Sequence, residues 1–210
     1  MEKQKMSVTR ALSELKLLDS RIRKEVGGST FIDVYQERKN QTIIEGVTKE
    51  KFNTDAKAKY DSIVDLIARR KNIKAAIMES NAKTKIKVGG KTYTVAESID
   101  RKDSIQYDRL LYTRMLENYT DVRTKEDTQN KKLDEDIQRM VSENLGGDKK
   151  VDEKTYSNVA DPFFKNNSFN QIDPIGVKDK LEKMEKEIDI FINEIDFALS
   201  ESNSKTDIEV

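Results

Sequence analysis

Apolar residues recur at steps of three and four along most of the chain, which is the spacing of one face of an α-helix. The first such stripe predicts a helix from Ser7, a good N-cap residue, to about Val26. A second stripe predicts a helix that starts after Thr54 and runs to about Asn81. The first part of the chain is therefore expected to form two long amphipathic helices.

Longer stripes follow in the second half of the sequence. A third helix is predicted from near Val95, with Leu110 and Leu111 in its apolar stripe, either unbroken to about 145 or with a break at 120–127. The last helix is predicted over about 177–200, where apolar residues, Phe191 among them, alternate steps of three and four. The predicted fold class is mainly α, an elongated helical bundle of long amphipathic helices with one small β-hairpin.

The hairpin is predicted at about 85–95, the one stretch that departs from the helical pattern. Lys85-Ile86-Lys87-Val88 alternates charged and apolar residues, which is the period of a half-buried strand. Gly89-Gly90 then offers the positive φ angles of a tight turn, and Lys91 to Val95 returns as a β-branched and aromatic strand. Thr94 and Glu97 stand at capping-box spacing, so a helix is expected to start there.

Four segments organise the predicted chain. Residues 1–145 form the helical bundle with its hairpin, and 146–176 form an Asn- and Phe-rich connection without periodicity. Residues 177–202 form a C-terminal helix that packs on the bundle or on a partner subunit, and 203–210 form a frayed tail. The phenylalanines of the connection are expected to dock on the bundle or on a second subunit.

Composition excludes several classes of chemistry. The sequence has no cysteine and no histidine, which removes disulfides, thiolate chemistry, the commonest general base and the commonest transition-metal ligand. No phosphate-binding loop or dinucleotide fingerprint is present. We therefore expect no enzyme, no cofactor and no metal, although an enzyme that uses carboxylates and a metal stays a third, weaker hypothesis. No apolar run is long enough for a membrane span and no signal core is visible, so a cytoplasmic protein without a membrane partner is predicted.

Local charge points to an anion rather than to nucleic acid. The 39 basic and 39 acidic residues cancel, which disfavours nucleic acid as a partner, yet residues 69–91 are strongly basic. Arginine forks suit phosphate, and tyrosine rings can stack on a base. The alternative is that these cations only solubilise exposed faces. The predicted ligand-binding residues are Asn81, Lys83, Lys91, Tyr93, Arg101, Lys102, Tyr107, Arg109 and Arg114.

Residues around the hairpin resemble the septicolysin-like family, small proteins of bacteria and their phages. The similar features are Ser80-Asn81-Ala82 at the end of a helix, Gly90-Lys91-Thr92 with Thr94 and Ala96 at the start of the next, and the pair Arg101 and Asp103. The resemblance covers about residues 7–120. It implies an α-helical fold with a small hairpin and no known enzyme activity.

Two functions follow from these observations. The first is a non-enzymatic homo-oligomeric protein that binds a small anionic, nucleotide-like ligand, for example a phage protein that sequesters an immune signalling nucleotide. The second is a structural or assembly protein, such as a virion component or scaffold, without a small ligand. A concave site where basic and aromatic residues converge would favour the first, and a flat surface of mixed charge would favour the second.

Overall fold

The structure is a computed structural model that describes residues 4–39, 41–42, 47–144 and 153–210. Most of these residues are helical, and the mainly α class is confirmed. The helices are α1 (Val8–Gly27), α2 (Lys49–Lys83), α3 (Val95–Asn144), α4 (Glu153–Asn167) and α5 (Val177–Lys205). The strands are β1 (Lys5–Ser7), β2 (Tyr35–Gln36), β3 (Gln41–Thr42), β4 (Lys85–Val88), β5 (Lys91–Thr94) and β6 (Asp207–Glu209).

The strands form three two-stranded antiparallel sheets within the described ranges, where the sequence predicted one hairpin. The predicted hairpin is β4 with β5, and its position is confirmed. The two additional sheets pair β1 with β6 and β2 with β3. Their strands have only two or three residues each, which is too short for an alternating pattern to be recognised.

Helix boundaries follow from capping side chains. The Ser7 hydroxyl accepts a hydrogen bond from the Arg10 N–H at 3.3 Å, as an N-cap should, so the predicted start of α1 is confirmed. α2 begins earlier than predicted, because Thr48 rather than Thr54 is its N-cap and accepts from the Lys51 N–H at 3.3 Å. α3 is a continuous helix of 50 residues, so the alternative of a break at 120–127 is wrong.

The described chain forms two compact units, Met1–Asp103 with Ile190–Val210, and Ser104–Asp189. In the first unit, α1 packs on α2 through one apolar cluster. The buried members of this cluster are Met6, Val8, Ala11, Leu15, Leu18, Ile73, Ile77 and Ile208. Ion pairs of Arg69 with Glu14 and of Arg70 with Asp19 flank it. The unit is therefore held by a narrow apolar seam with charged edges.

The strands β1 and β6 join residues from opposite ends of the sequence in this first unit. Met6 lies opposite Ile208, and both side chains are buried in the α1–α2 cluster. The prediction of a frayed tail over 203–210 is therefore wrong. α5 continues to Lys205, and Ile208 is held by strand pairing and by burial of its side chain.

The second unit is built on residues Ser104 to Asn144 of α3. Ile137 and Val141 are buried against Ala160 of α4. The side chain of Asn130 exchanges two hydrogen bonds with the backbone of Phe169, at 2.8 and 2.9 Å.

The predicted non-periodic connection over 146–176 contains a helix, α4. Its phenylalanines Phe163, Phe164 and Phe169 remain at least one third exposed, so they are not fully docked on the bundle. Their docking on a second subunit stays a prediction.

Candidate functional site

The hairpin presents two different faces. Ile86 and Val88 of β4 are buried, whereas Lys85 and Lys87 are exposed, which is the alternation that the sequence predicted. Gly89 and Gly90 form the turn with φ angles of 58° and 73°, a region in which a Cβ atom causes strain. One face of the ribbon is therefore apolar and the other is basic.

The turn and the apolar face of the hairpin pack against α5. The Gly89 N–H donates to Glu194 Oε2 at 2.7 Å, and a Cβ atom at position 89 would lie 3.0 Å from Cγ2 of Ile190. The Tyr93 ring meets Phe191 edge-on, with 6.1 Å between ring centroids. The Arg101 guanidinium lies 5.8 Å from the Phe191 centroid. Phe191 is thus the centre of a small aromatic and cationic cluster.

The start of α3 next to the hairpin is fixed by the predicted capping box. The Thr94 N–H donates to Glu97 Oε2 at 2.6 Å, and the Glu97 N–H donates to Thr94 Oγ1 at 3.1 Å. Hydrogen bonds from the backbone N–H and the side chain of Thr94 to the Glu97 carboxylate hold the pKa of Glu97 below its ordinary value. Ser98 is fully buried one turn further and donates to the Thr94 carbonyl at 2.9 Å. The turn from strand to helix is therefore rigidly specified.

Two of the predicted ligand-binding cations in the first unit form ion pairs with carboxylates. Lys83 forms an ion pair with Glu79 at 2.5 Å, and Lys102 forms one with Asp196 at 2.5 Å. Arg101 and Tyr93 contact Phe191 as described above. The predicted anion site would therefore have to compete with these existing contacts for its cations.

Two further predicted residues of this unit lie at the end of α2 and at the turn of the hairpin. Asn81 is half-buried in the last turns of α2, and Lys91 is exposed opposite Val88 at the turn of the hairpin. Phe191 and Glu194, by contrast, organise the cluster and were not among the predicted site residues. No short-range pattern relates position 89 or 93 to residues about 100 positions away, so this arrangement requires the structure.

The remaining predicted residues, Tyr107, Arg109 and Arg114, lie on α3 in the second unit. Tyr107 and Arg114 are seven residues apart and share a face of the helix, whereas Arg109 is rotated from Tyr107 by about 200° and points to the other side. Arg114 also pairs with Glu117 at 3.3 Å. The structure therefore does not bring these three side chains to one point.

An exposed apolar stripe runs along the same face of α3. Tyr107 is 67% exposed, Leu110 is 69% exposed and Leu111 is 53% exposed. With Arg114 they occupy positions i, i+3, i+4 and i+7, and we call these four residues the α3 outer face. The sequence placed Leu110 and Leu111 in the core stripe of the third helix, and this placement is wrong.

The side of α3 that the second unit covers is rotated from the outer face. It carries Tyr112, which is half-buried and donates from its hydroxyl to Glu185 of α5 at 3.2 Å. Burial, followed by the negative charge of Glu185, raises the pKa of Tyr112. Leu181 and Ile188 of α5 are buried in the same unit. The apolar stripe of the outer face therefore lies outside the core of its own unit.

Two cavities in the described residues do not match an enclosed anion site. The one with a volume of about 410 Å³ is open and is lined by Glu79, Asp207 and Glu209 against the single cation Lys83. A second, of about 270 Å³, is a largely apolar groove between α3 and residues 171–177. An acidic surplus in the first and the apolar lining of the second both disfavour a phosphate-bearing ligand.

Two kinds of feature are absent from the described part of the chain, a metal-binding cluster and a membrane-spanning helix. No cluster of three or more acidic side chains there is arranged to hold a metal ion. None of the helices there combines the length and the apolar character that crossing a bilayer requires.

Comparison with known proteins gives no relative from which a role could be transferred. No family model matches the chain, and no curated protein or solved structure matches it. The resemblance to the septicolysin-like family therefore stays a prediction.

Proposed function

We propose that the protein is a cytoplasmic, non-enzymatic assembly protein that works as a homo-oligomer of helical subunits. The observation that carries this proposal is the α3 outer face. Its three large apolar side chains are each more than half exposed, although only 35% of the residues in the chain are hydrophobic. A contiguous apolar patch with polar neighbours is typical of a protein–protein contact.

The composition of the patch supports the same proposal. Tyrosine and arginine are enriched in protein interfaces, and leucine supplies apolar area at its centre. The net charge of zero means that copies of the chain do not repel one another at long range. The exposed Phe163, Phe164 and Phe169 offer further apolar surface for contacts between subunits.

The oligomer is tested by sedimentation equilibrium of the purified protein over a wide range of concentrations. We expect a mass that rises from 24.2 kDa toward a defined multiple as concentration increases. Apolar contacts weaken little with salt, so the mass should persist at 0.5 M NaCl, where contacts between exposed charges are screened. A monomer at every concentration would overturn the proposal.

A second candidate function is binding of a small anion, and the exposed face of the hairpin supports it. Lys85 and Lys87 are exposed on one face of β4, and Thr92 lies opposite Lys87 on the same face. This ribbon of ammonium and hydroxyl groups suits phosphate oxygens. A phage protein that sequesters an immune signalling nucleotide is the specific form of this proposal.

Native mass spectrometry tests this second candidate. Protein purified from cells is compared with refolded protein, which is then offered cyclic and ADP-ribose-type nucleotides. Bound mass that decreases in Lys85→Ala/Lys87→Ala but not in Lys57→Ala, an exposed control on α2, would support the candidate. Protein that stays empty with every nucleotide would exclude it.

A further inference from the structure

The two ends of the α3 outer face are chemically different. Along the helix the face reads Tyr107, Leu110, Leu111 and Arg114, that is, aromatic, apolar, apolar and cationic. Tyr107 and Arg114 are about 10 Å apart along the axis, with the two leucines between them. The midpoint of the face lies between Leu110 and Leu111. If the helix is turned end to end about this midpoint, Arg114 therefore takes the place of Tyr107, and Tyr107 takes the place of Arg114.

A second copy of the same face is complementary to the first only when the two helices run in opposite directions. An antiparallel pair places each Tyr107 opposite the Arg114 of the other copy, where the guanidinium is attracted to the face of the ring. It also places leucine against leucine at the centre. A parallel pair would place arginine against arginine, which is repulsive, so the charges select the antiparallel direction.

The occupant that fits this face best is thus another copy of the chain. Arg114 pairs with Glu117 of its own chain at 3.3 Å, but both side chains are exposed, so this ion pair is weak and leaves the guanidinium able to approach a ring. A dimer with a twofold axis needs only one self-complementary patch, which both copies contribute. The α3 outer face is such a patch.

We infer that two copies of the protein pair through their α3 outer faces in an antiparallel arrangement, about a twofold axis between Leu110 and Leu111. This inference rests on the proposed homo-oligomer and specifies its interface. The contact uses few side chains, so the dimer it forms depends on concentration. Larger assemblies would need a second contact elsewhere.

The chain contains no cysteine, so single introduced cysteines report the arrangement without background. Leu110→Cys lies at the axis and should form a disulfide with its own copy under mild oxidation. Asn118→Cys alone should not, because its two copies lie about 22 Å apart along an antiparallel pair. A mixture of Ser104→Cys and Asn118→Cys chains should form the mixed disulfide, since these positions lie opposite each other. Arg109→Cys, on the other side of the helix, is the control and should stay monomeric on a non-reducing gel.

Substitutions without crosslinking test the complementary ends. Tyr107→Leu keeps an apolar side chain but removes the aromatic face at both symmetric contacts, so we expect the dimer dissociation constant to rise about 5- to 30-fold. Tyr107→Phe should leave it within about threefold. Unchanged circular dichroism in both variants ensures that the fold is intact.

The outcomes separate this inference from the proposed function. A disulfide in Asn118→Cys alone would show a parallel pair and overturn the inference. Absence of all these disulfides in a protein that still sediments as an oligomer would overturn the interface but leave the homo-oligomer in place. A monomeric wild type would overturn both.

Discussion

Replacement of Gly89 by alanine tests whether the hairpin is docked on α5 as the structure shows. Gly89 has a φ of 58°, and a Cβ atom there would approach Cγ2 of Ile190 to 3.0 Å. Gly90 is a matched control, because its φ of 73° imposes the same kind of strain while its Cβ atom would meet nothing within 4 Å. The two variants therefore differ mainly in the contact with α5.

The expected magnitudes follow from these two terms. A non-glycine residue in the left-handed region costs about 1–2 kcal/mol, which is partly offset by about 0.4–1 kcal/mol because alanine restricts the unfolded chain. Gly90→Ala should therefore lower the free energy of unfolding by roughly 0.5–1 kcal/mol. Gly89→Ala must also displace Ile190 or weaken the N–H bond to Glu194, which adds about 1–2 kcal/mol.

Urea unfolding followed by circular dichroism measures both free energies, and hydrogen exchange of the hairpin amides shows where protection is lost. We expect Gly89→Ala to be clearly less stable than Gly90→Ala and to exchange faster across residues 85–94. Equal stability of the two variants would refute the docking of the turn on α5. A loss confined to Gly90→Ala would refute it as well.

Three further predictions concern the first unit. Ile73→Ala removes a fully buried side chain between α1 and α2 and should lower the free energy of unfolding in urea by about 2–5 kcal/mol. Ile67→Ala, at a position that is 37% exposed, should lower it by less than half as much. Similar losses in the two variants would contradict the packing. Hydrogen bonds from Arg70 to Asp19 and from Lys59 to Glu25 hold the pKa values of the two carboxyl groups below their ordinary values. These carboxylates therefore stabilise the fold above about pH 4–5 and lose that contribution as the pH falls through the lowered pKa values. Thermal unfolding between pH 6 and pH 3 should show this loss, and Asp19→Asn should make it smaller; an unchanged pH profile in the variant would argue against the ion pair with Arg70. Lys102→Ala breaks a solvent-exposed ion pair with Asp196 and should cost at most about 1 kcal/mol in urea, so a larger loss would mean that Lys102 has another role.

The helices were predictable from sequence wherever apolar periodicity and a local signal coincided. α1 has both a stripe and the Ser7 cap, and the hairpin has both alternation and Gly89-Gly90, so both were placed within one or two residues. The start of α2 was missed because Lys49 to Thr54 contain one large apolar residue, Phe52, and the cap at Thr48 looks like any other threonine. β1 and β6 were missed because pairing between Met6 and Ile208 has no local signature.

The candidate site was less predictable because its chemistry depends on long-range partners. From the sequence, Lys102 is predicted to bind an anion. In the structure its ion-pair partner is Asp196, 94 positions away. Phe191 looked like an ordinary core position of the last helix, yet it contacts both Tyr93 and Arg101. Charge patterns along one chain indicate where cations are, but the structure shows which of them carboxylates already engage.

The position of Leu110 and Leu111 connects the fold to the proposed function. α3 carries two overlapping stripes, one through Tyr112 and one through Leu110 and Leu111, and periodicity alone cannot tell which of them faces the core. The hydrogen bond between Tyr112 and Glu185 identifies the first as the side that its own unit covers. Leaving the second in water forgoes the stabilisation of about 1.5–3 kcal/mol that complete burial of each large apolar side chain provides. A second copy would recover part of that stabilisation at six side chains, which are Tyr107, Leu110 and Leu111 of each copy. Loss of these side chains is therefore expected to affect the oligomer more than the stability of the subunit.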